Sequence, residues 1–379
     1  MIQKSEAFIN PSLLRWAREQ CRFTYEEAVQ SRFSPDKLRK AERGEENLTF
    51  KQFIFIANRY KRSPAFFYLK QHPDEELIQD FRKINHEKKH LSPVLREQII
   101  NIKEKREIAV EFKNFDKEFQ YEYINSITLE QNTEDIAEKI ISLLNLHVEL
   151  RKKWKDKYKA FNSLRKAFED VGIMVFQVSR IDIEEMRGFS FSEEPYPTIT
   201  LNRGDSPFGR IFTLIHELCH IMLNKGGLCT LKSEDEIHFE IEKFCNAVAG
   251  AVLVPQTFLL NHEIVQNHPI IKPWELEELE KLKKIFWCSS EVILRRLLIF
   301  EKTSTDFYQE MRNYWQSLPK PSGGGSEKSF EKVLRTNPKS YIKILLNAMY
   351  ERKITMTDVS SYLNIKLKYL KSLERKLEG

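Results

Sequence analysis

The apolar stretch from Ile211 to Leu223 contains His216-Glu217-Leu218-Cys219-His220. On a helix, residues four apart project from one face. The two imidazoles can then take adjacent corners of a zinc tetrahedron, at roughly 2.0–2.1 Å from the ion each. Glu217 follows the first histidine and can reach water activated at such a site. Its task would be to accept the proton of that water and to protonate the leaving amine. Zinc hydrolases of this kind add one carboxylate and keep a fourth position open. The segment Glu240-Ile241-Glu242-Lys243-Phe244-Cys245-Asn246 is predicted to be helical and offers two carboxylates. Two residues apart on a helix, they point about 200° from each other, so only one can face the metal. Cys245, Ala249 and Leu253 mark the inward face; Glu242 lies three before Cys245 and Glu240 five before it. Glu242 is therefore the expected ligand and Glu240 the solvated one. Asn246, one turn beyond Glu242, is placed to orient a ligand. A purely structural zinc site tends to be closed by four protein ligands, often cysteines, and needs no base. Here Cys219 points away from the histidines and Cys229 lies in a Gly-rich loop, which favours an open, catalytic site. Arg210, Tyr196 and His238 are alternative stabilisers of an oxyanion.

These residues need elements to hold them. Three short β-rich runs precede the histidine helix: 171–178, 188–191 and 198–201, with turn residues between them. They predict a small, largely antiparallel sheet. Residues 92–170 read as charged helices, one opened by Ser92-Pro93 and another by Thr133-Glu134-Asp135. Residues 11–70 read as four short helices. Thr24 with Glu27 has the capping-box spacing, Ser34-Pro35 opens the next helix, Arg43-Gly44 ends it, and Thr49 starts the fourth. The fold class expected is α+β, mostly helical.

The chain has 379 residues, which predicts two or three domains. Its 41% hydrophobic and 31% charged residues exclude a collagen-like chain or one disordered throughout. No run of eighteen apolar residues is present, so no membrane-spanning helix is expected. The first ten residues carry Lys4 and Glu6 and no apolar core, so a secretory signal is not expected. Five cysteines, an odd number with no Cys-x-x-Cys pair, suit a reducing cytoplasm. Pro and Gly are dense over 319–326, which predicts a linker. Beyond it, residues 327–379 hold twelve basic and six acidic residues, a surplus equal to the +6 of the whole chain. This tail is expected to be a separable basic module with few contacts to the rest, able to meet phosphate or an acidic partner. Within it, Thr357-Asp358-Val359 caps a short helix, Asn364-Ile365-Lys366 makes a turn, and a second helix follows from Leu367. Two helices around such a turn fit either a helix-turn-helix or an ordinary hairpin.

Several of these motifs carry a resemblance. Arg187-Gly188-Phe189-Ser190, Asn202, Arg210-Ile211-Phe212-Thr213, His216 to His220, and Glu242-x-x-Cys245-Asn246-x-x-Ala249-x-x-Leu253-x-Pro255 together resemble the ImmA/IrrE-type metallopeptidases. Cys245 stands where that family usually has alanine. The resemblance implies a zincin-like peptidase domain with His216, His220 and Glu242 as zinc ligands and Glu217 as base. It also implies cleavage of a helix-turn-helix repressor that controls stress or mobile-element genes. The N-terminal part is similar to XRE-type helix-turn-helix domains, through Leu14-x-x-Ala17-Arg18-Glu19-Gln20, Thr24-x-x-Glu27-Ala28, Ser34-Pro35-Asp36-x-Leu38, Glu42-Arg43-Gly44 and Pro64-x-x-Phe67-Tyr68-Leu69, and Asp80-Phe81-Arg82 sits where such fusions carry it. This implies DNA contacts from Lys37, Arg39 and Lys40. The turn before Ser34 is about one residue shorter than the usual pattern and lacks its glycine. The organisation expected is a helix-turn-helix domain over 1–72, a helical connection over 73–150, a peptidase domain over 151–318, a linker over 319–326 and the basic module over 327–379. A cytoplasmic zinc endopeptidase acting on a regulatory protein is the leading reading. The alternative is a DNA-binding regulator or antitoxin-like protein with a dormant or structural metal site. A third reading adds nucleic acid at the basic tail as a switch for the peptidase.

Overall fold

A computed structural model describes residues 5–21, 23–60, 62, 64–70, 91–112, 119–224, 228–229, 236–269, 272–318 and 329–378. The expected boundary near residue 72, the Asp80-Phe81-Arg82 motif and the linker over 319–326 lie outside the described residues. The chain divides into two compact units, Met1–Asn101 and Ile102–Gly379. The described residues are mostly helical with small sheets, the α+β class expected from the sequence.

In the first unit, β1 (Glu6–Ala7) pairs antiparallel with β2 (Leu48–Thr49). Around this ribbon lie α1 (Pro11–Cys21), α2 (Tyr25–Val29), α3 (Pro35–Glu42) and α4 (Phe50–Arg59), then a 3-10 helix at Pro64–Tyr68. Leu14, Leu38, Phe53, Ile56 and Phe67 are buried in its core. The expected starts are present. Thr24 and Glu27 form the capping box, Thr49 and Gln52 form another, and Pro35 takes the first helical position, although the Ser34 side chain makes no cap bond. The short turn between α2 and α3 places Gln30 and Ser31 in left-handed backbone, at φ 45° and 59°. For residues with a Cβ this costs about 1–2 kcal/mol each, which is where the missing glycine is felt. Glu42 is buried and accepts two bonds from Arg18, at 2.8 and 3.0 Å, and one from the Tyr25 hydroxyl.

Helix α5 (Pro93–Glu111) crosses the boundary between the units, with Ser92 capping its start. The second unit continues with α6 (Thr133–Leu143), α7 (Val148–Arg151), α8 (Lys157–Asp170), β3 (Met174–Val178), β4 (Gly188–Phe191), β5 (Thr198–Asn202), α9 (Pro207–Met222), β6 (Leu228–Cys229) and α10 (Glu236–Leu253). The sheet order is β3-β5-β4-β6. β4 is antiparallel to both neighbours, but β3 and β5 run parallel, so the sheet is mixed. The segment from β3 to β5 makes this possible, because β4 lies on the far side of β5 and the chain returns beside β3 in the same direction.

Helix α9 begins at the Ser206 cap with Pro207 in the first turn, and from Thr213 to Met222 every residue is buried. It packs on β4, β5, α8 and α10, and α10 packs on α6. Two buried arginines hold the end of α10. Arg151 donates to the Leu253 and Val252 carbonyls at 2.7 and 2.6 Å, and Arg296 donates to Val254 at 3.0 Å. They satisfy carbonyls that the helix itself leaves unpaired and place positive charge at its negative end. Short helices α11 (Gln256–Leu260) and α12 (Glu263–Gln266) lead to α13 (Leu276–Phe286), α14 (Ser290–Ile299) and α15 (Thr305–Ser317), which complete this core.

The tail forms α16 (Ser329–Thr336), α17 (Lys339–Tyr350), α18 (Met356–Tyr362), a 3-10 turn at Leu367–Tyr369 and α19 (Leu370–Glu378). Contrary to the expectation of few contacts, it is tied to the edge strand β3 and to α8. The Arg165 guanidinium donates to the carbonyls of Leu334, Arg335 and Asn337. Gln177 donates to the Arg335 carbonyl at 2.6 Å, and the rings of Phe176 and Tyr341 meet edge to face at 5.6 Å. The reason is a sheet edge: among the described residues β3 has no strand on its outer side, and its five residues are nonetheless buried.

Candidate metal centre

His216 and His220 lie one turn apart in the buried middle of α9, and their Nε2 atoms are 3.0 Å apart. Glu242 comes from α10, with Oε2 at 3.3 Å from His216 Nε2 and Oε1 at 3.1 Å from His220 Nε2. One ligand atom from each of the three residues lies within 4.8 Å of the others. Tetrahedral bonds of roughly 2.0–2.1 Å set ligand atoms roughly 3.3 Å apart, close to this spacing. Two imidazole nitrogens and a carboxylate oxygen are also the donors such an ion takes. The residues present therefore fit a zinc ion. Glu240, the competing carboxylate, is exposed. Burial alone would raise the Glu242 carboxyl, but its contacts with His216 and His220 hold it well below the usual carboxylate range.

Glu217 is fully buried beside this group. Its Oε2 accepts a 2.7 Å hydrogen bond from Ser190 Oγ, while Oε1 has no hydrogen-bond partner among the described residues. Burial pushes the carboxyl up to about 7, against the opposing effects of His220 and the Ser190 bond. A buried carboxylate with one oxygen fixed and the other unpaired is held ready to take a proton there. Gly188 lies two residues before Ser190 on the same face of β4. A Cβ at Gly188 would come 2.6 Å from Thr213 Cγ2 and 3.1 Å from Glu217 Oε1. The β4 backbone thus forms the wall against which Glu217 rests.

Ser190 and Gly188 stand in the Arg187-to-Ser190 motif, which carried the resemblance but assigned neither of them a place beside the base. The signal was the strand period of two, which puts both side chains on one face. It could not say that this face meets Glu217. Asn246 is half-buried and, among the described residues, makes no side-chain hydrogen bond to His216, His220 or Glu242. Arg210 is turned to Gln177 and stacks 4.5 Å over Phe161. The backbone N–H of Tyr196, at φ 66°, donates to the Tyr121 hydroxyl. The His238 side chain lies outside the described residues.

In the first unit the three basic residues of α3 face carboxylates. Lys37 pairs with Glu46 at 3.0 Å, Lys40 with Asp36 at 3.3 Å, and Arg39 with Asp36 at 3.7 Å while lying over the Tyr25 ring.

A family model, Peptidase_M78, described as the IrrE N-terminal-like domain, matches residues 168–298. That span runs from the end of α8 through the sheet, α9 and α10 to α14, and it includes every residue of the centre. The match supports the ImmA/IrrE-type peptidase family for this domain and, with it, a metal-dependent peptidase acting on protein. No curated protein matches the chain. No helix among the described residues is long and apolar enough to cross a membrane.

Proposed function

We propose that this protein is a zinc-dependent endopeptidase that cuts a regulatory protein, a helix-turn-helix repressor, in the cytoplasm. The observation that carries the reading is the convergence of His216, His220 and Glu242 around one point, with the buried carboxylate of Glu217 beside it. His216 Nε2, His220 Nε2 and one Glu242 oxygen would hold the ion. Bound zinc supplies Lewis acidity, which polarises a peptide carbonyl and acidifies water. Glu217 Oε1 takes the proton of the attacking water and delivers it to the leaving amine. Ser190 keeps the other oxygen, Oε2, in place throughout, so that the proton is carried at Oε1. Burial of the Glu217 side chain keeps bulk water from competing for this carboxylate. The repressor as substrate rests on the resemblance to ImmA/IrrE-type enzymes.

Glu217→Gln tests the reading, because it removes the base and leaves the three ligands. The variant is expected to bind zinc like the wild type and to lose roughly 10²–10⁴-fold in peptidase rate. Zinc content by elemental analysis and cleavage of a candidate repressor measure the two quantities. Full activity in Glu217→Gln would end the mechanism.

A further inference from the structure

The metal centre uses nothing from residues 327–379, yet these carry twice as many basic as acidic side chains. Its geometry is specific. Helix α18 ends in a Schellman-type turn: Asn364 takes left-handed backbone at φ 48°, its N–H meets the Ser361 carbonyl at 3.0 Å, and Ile365 N–H meets the Ser360 carbonyl at 3.0 Å. Only four residues, Leu363 to Lys366, separate the last turn of α18 from the next helical segment at Leu367. Val359, Leu363, Ile365, Leu370 and Leu373 are all buried. α18 packs on α17 and on the 3-10 turn that leads into α19, and α16 packs on α19. Two short helical segments joined by a four-residue turn fit the architecture of a helix-turn-helix. They are unlike a hairpin of two long antiparallel helices joined by a free loop.

The opposite face carries the charge. Lys366, Lys368, Lys371, Arg375 and Lys376 are exposed. Lys368, Lys371 and Arg375 follow the spacing i, i+3, i+7, so they form one stripe on the side away from Leu370 and Leu373. Among the described residues none of the five is paired with a carboxylate; Lys368 lies over its neighbour Tyr369, and Glu374 accepts from the Tyr350 hydroxyl. Leu367 and Met356 are 48% and 51% exposed at the start of the two helices. A recognition helix needs basic groups for phosphates and base edges, and an apolar side chain near its N-terminus for thymine methyls. In α3 of the first unit, by contrast, each corresponding basic side chain already faces a carboxylate.

We propose that the helix-turn-helix of residues 356–378 binds duplex DNA, with α19 and its preceding turn in the major groove and Lys366, Lys368, Lys371 and Arg375 as its contacts. This surface lies outside the metal centre, and the proposal stands whether or not the peptidase reading does.

The test uses the full-length protein and a fluorescent DNA duplex of mixed sequence, about 30 base pairs long, read by anisotropy against salt. The wild type is expected to bind with an affinity that falls steeply with salt. In the variant Lys368→Gln/Lys371→Gln/Arg375→Gln, three phosphate contacts are lost. The slope of log K against log salt should then flatten by about 2.7. Between 50 and 200 mM salt the wild type should lose about 40-fold more affinity than this variant. The same positions changed to Glu should weaken binding further. All are exposed, so both variants should keep the wild-type thermal transition. A Lys37→Gln/Arg39→Gln/Lys40→Gln variant should bind within about twofold of the wild type, since those groups are already paired. Three outcomes overturn the proposal: no duplex binding by the wild type, an unchanged salt slope in the tail variant, or loss of binding in the α3 variant alone.

Discussion

Replacing Arg165 by Met should unlock the tail from the second unit. In the wild type this buried guanidinium donates to Leu334 at 3.2 Å, Arg335 at 2.9 Å and Val175 at 3.1 Å, and also to Asn337. Its Nε lies 3.0 Å from Glu169 Oε1, while Glu169 Oε2 accepts the Lys339 N–H. Hydrogen bonds to a charged donor are worth about 1.5–3 kcal/mol each, but the four do not add, because a released helix end regains water. The larger effect is on Glu169. Burial already raises its carboxyl, and the Arg165 charge is what opposes this. Removing one partner of a buried pair costs about 3–5 kcal/mol, and that is the loss expected here. Methionine fills most of the stem volume, so little of the loss comes from a cavity. Urea unfolding followed by tryptophan fluorescence is suited to the measurement, since four of the five tryptophans (Trp154, Trp274, Trp287 and Trp315) lie in the second unit. Adding Glu169→Gln should recover part of the loss, because the stranded charge is gone. A loss below about 1 kcal/mol would refute the reasoning, as would an unchanged transition after removal of residues 327–379.

Zinc titrations of Glu242→Ala and Glu240→Ala should differ sharply. Loss of a residue that only supports a ligand costs about 10–100-fold in metal affinity, so losing Glu242 should exceed that range while Glu240→Ala stays near the wild type; equal affinities would remove Glu242 from the site. Gly188→Ala forces either Thr213 or Glu217 to move. Peptidase rate should fall by about 10–100-fold with zinc content unchanged, and an unchanged rate would free Glu217 from the β4 wall. Lys105 donates to Asn337 at 2.7 Å, and burial pushes its ammonium down from 10.5 to about 8. The folded chain therefore gives up this proton first, the unfolded chain binds more protons between about pH 8 and 10.5, and stability from this group rises with pH across that window. The stability of Lys105→Met relative to the wild type should fall by up to about 3 kcal/mol over the same range; parallel pH profiles would contradict it.

What the sequence determined by itself was whatever depends on a local period. His216, Glu217 and His220 sit on one helix, so their spacing decides their directions before any packing is known. The preference for Glu242 over Glu240 rests on the same period and an apolar face, and Glu240 is exposed. The caps at Thr24 and Thr49 are equally local. What only the tertiary structure decided was which distant groups meet. Ser190 and Gly188 reach Glu217 because β4 lies against α9, a contact between residues 27 apart in the case of Ser190. The parallel pairing of β3 with β5 needed β4 to lie beyond β5, which no strand pattern states. The basic tail read as a detached module because its charges and the linker are visible in the sequence. Its attachment through Arg165, Gln177 and Tyr341 is not visible there. Charge and periodicity are properties of a segment, whereas the partner of a buried donor, or the cover of a sheet edge, is set by packing between segments far apart in the chain.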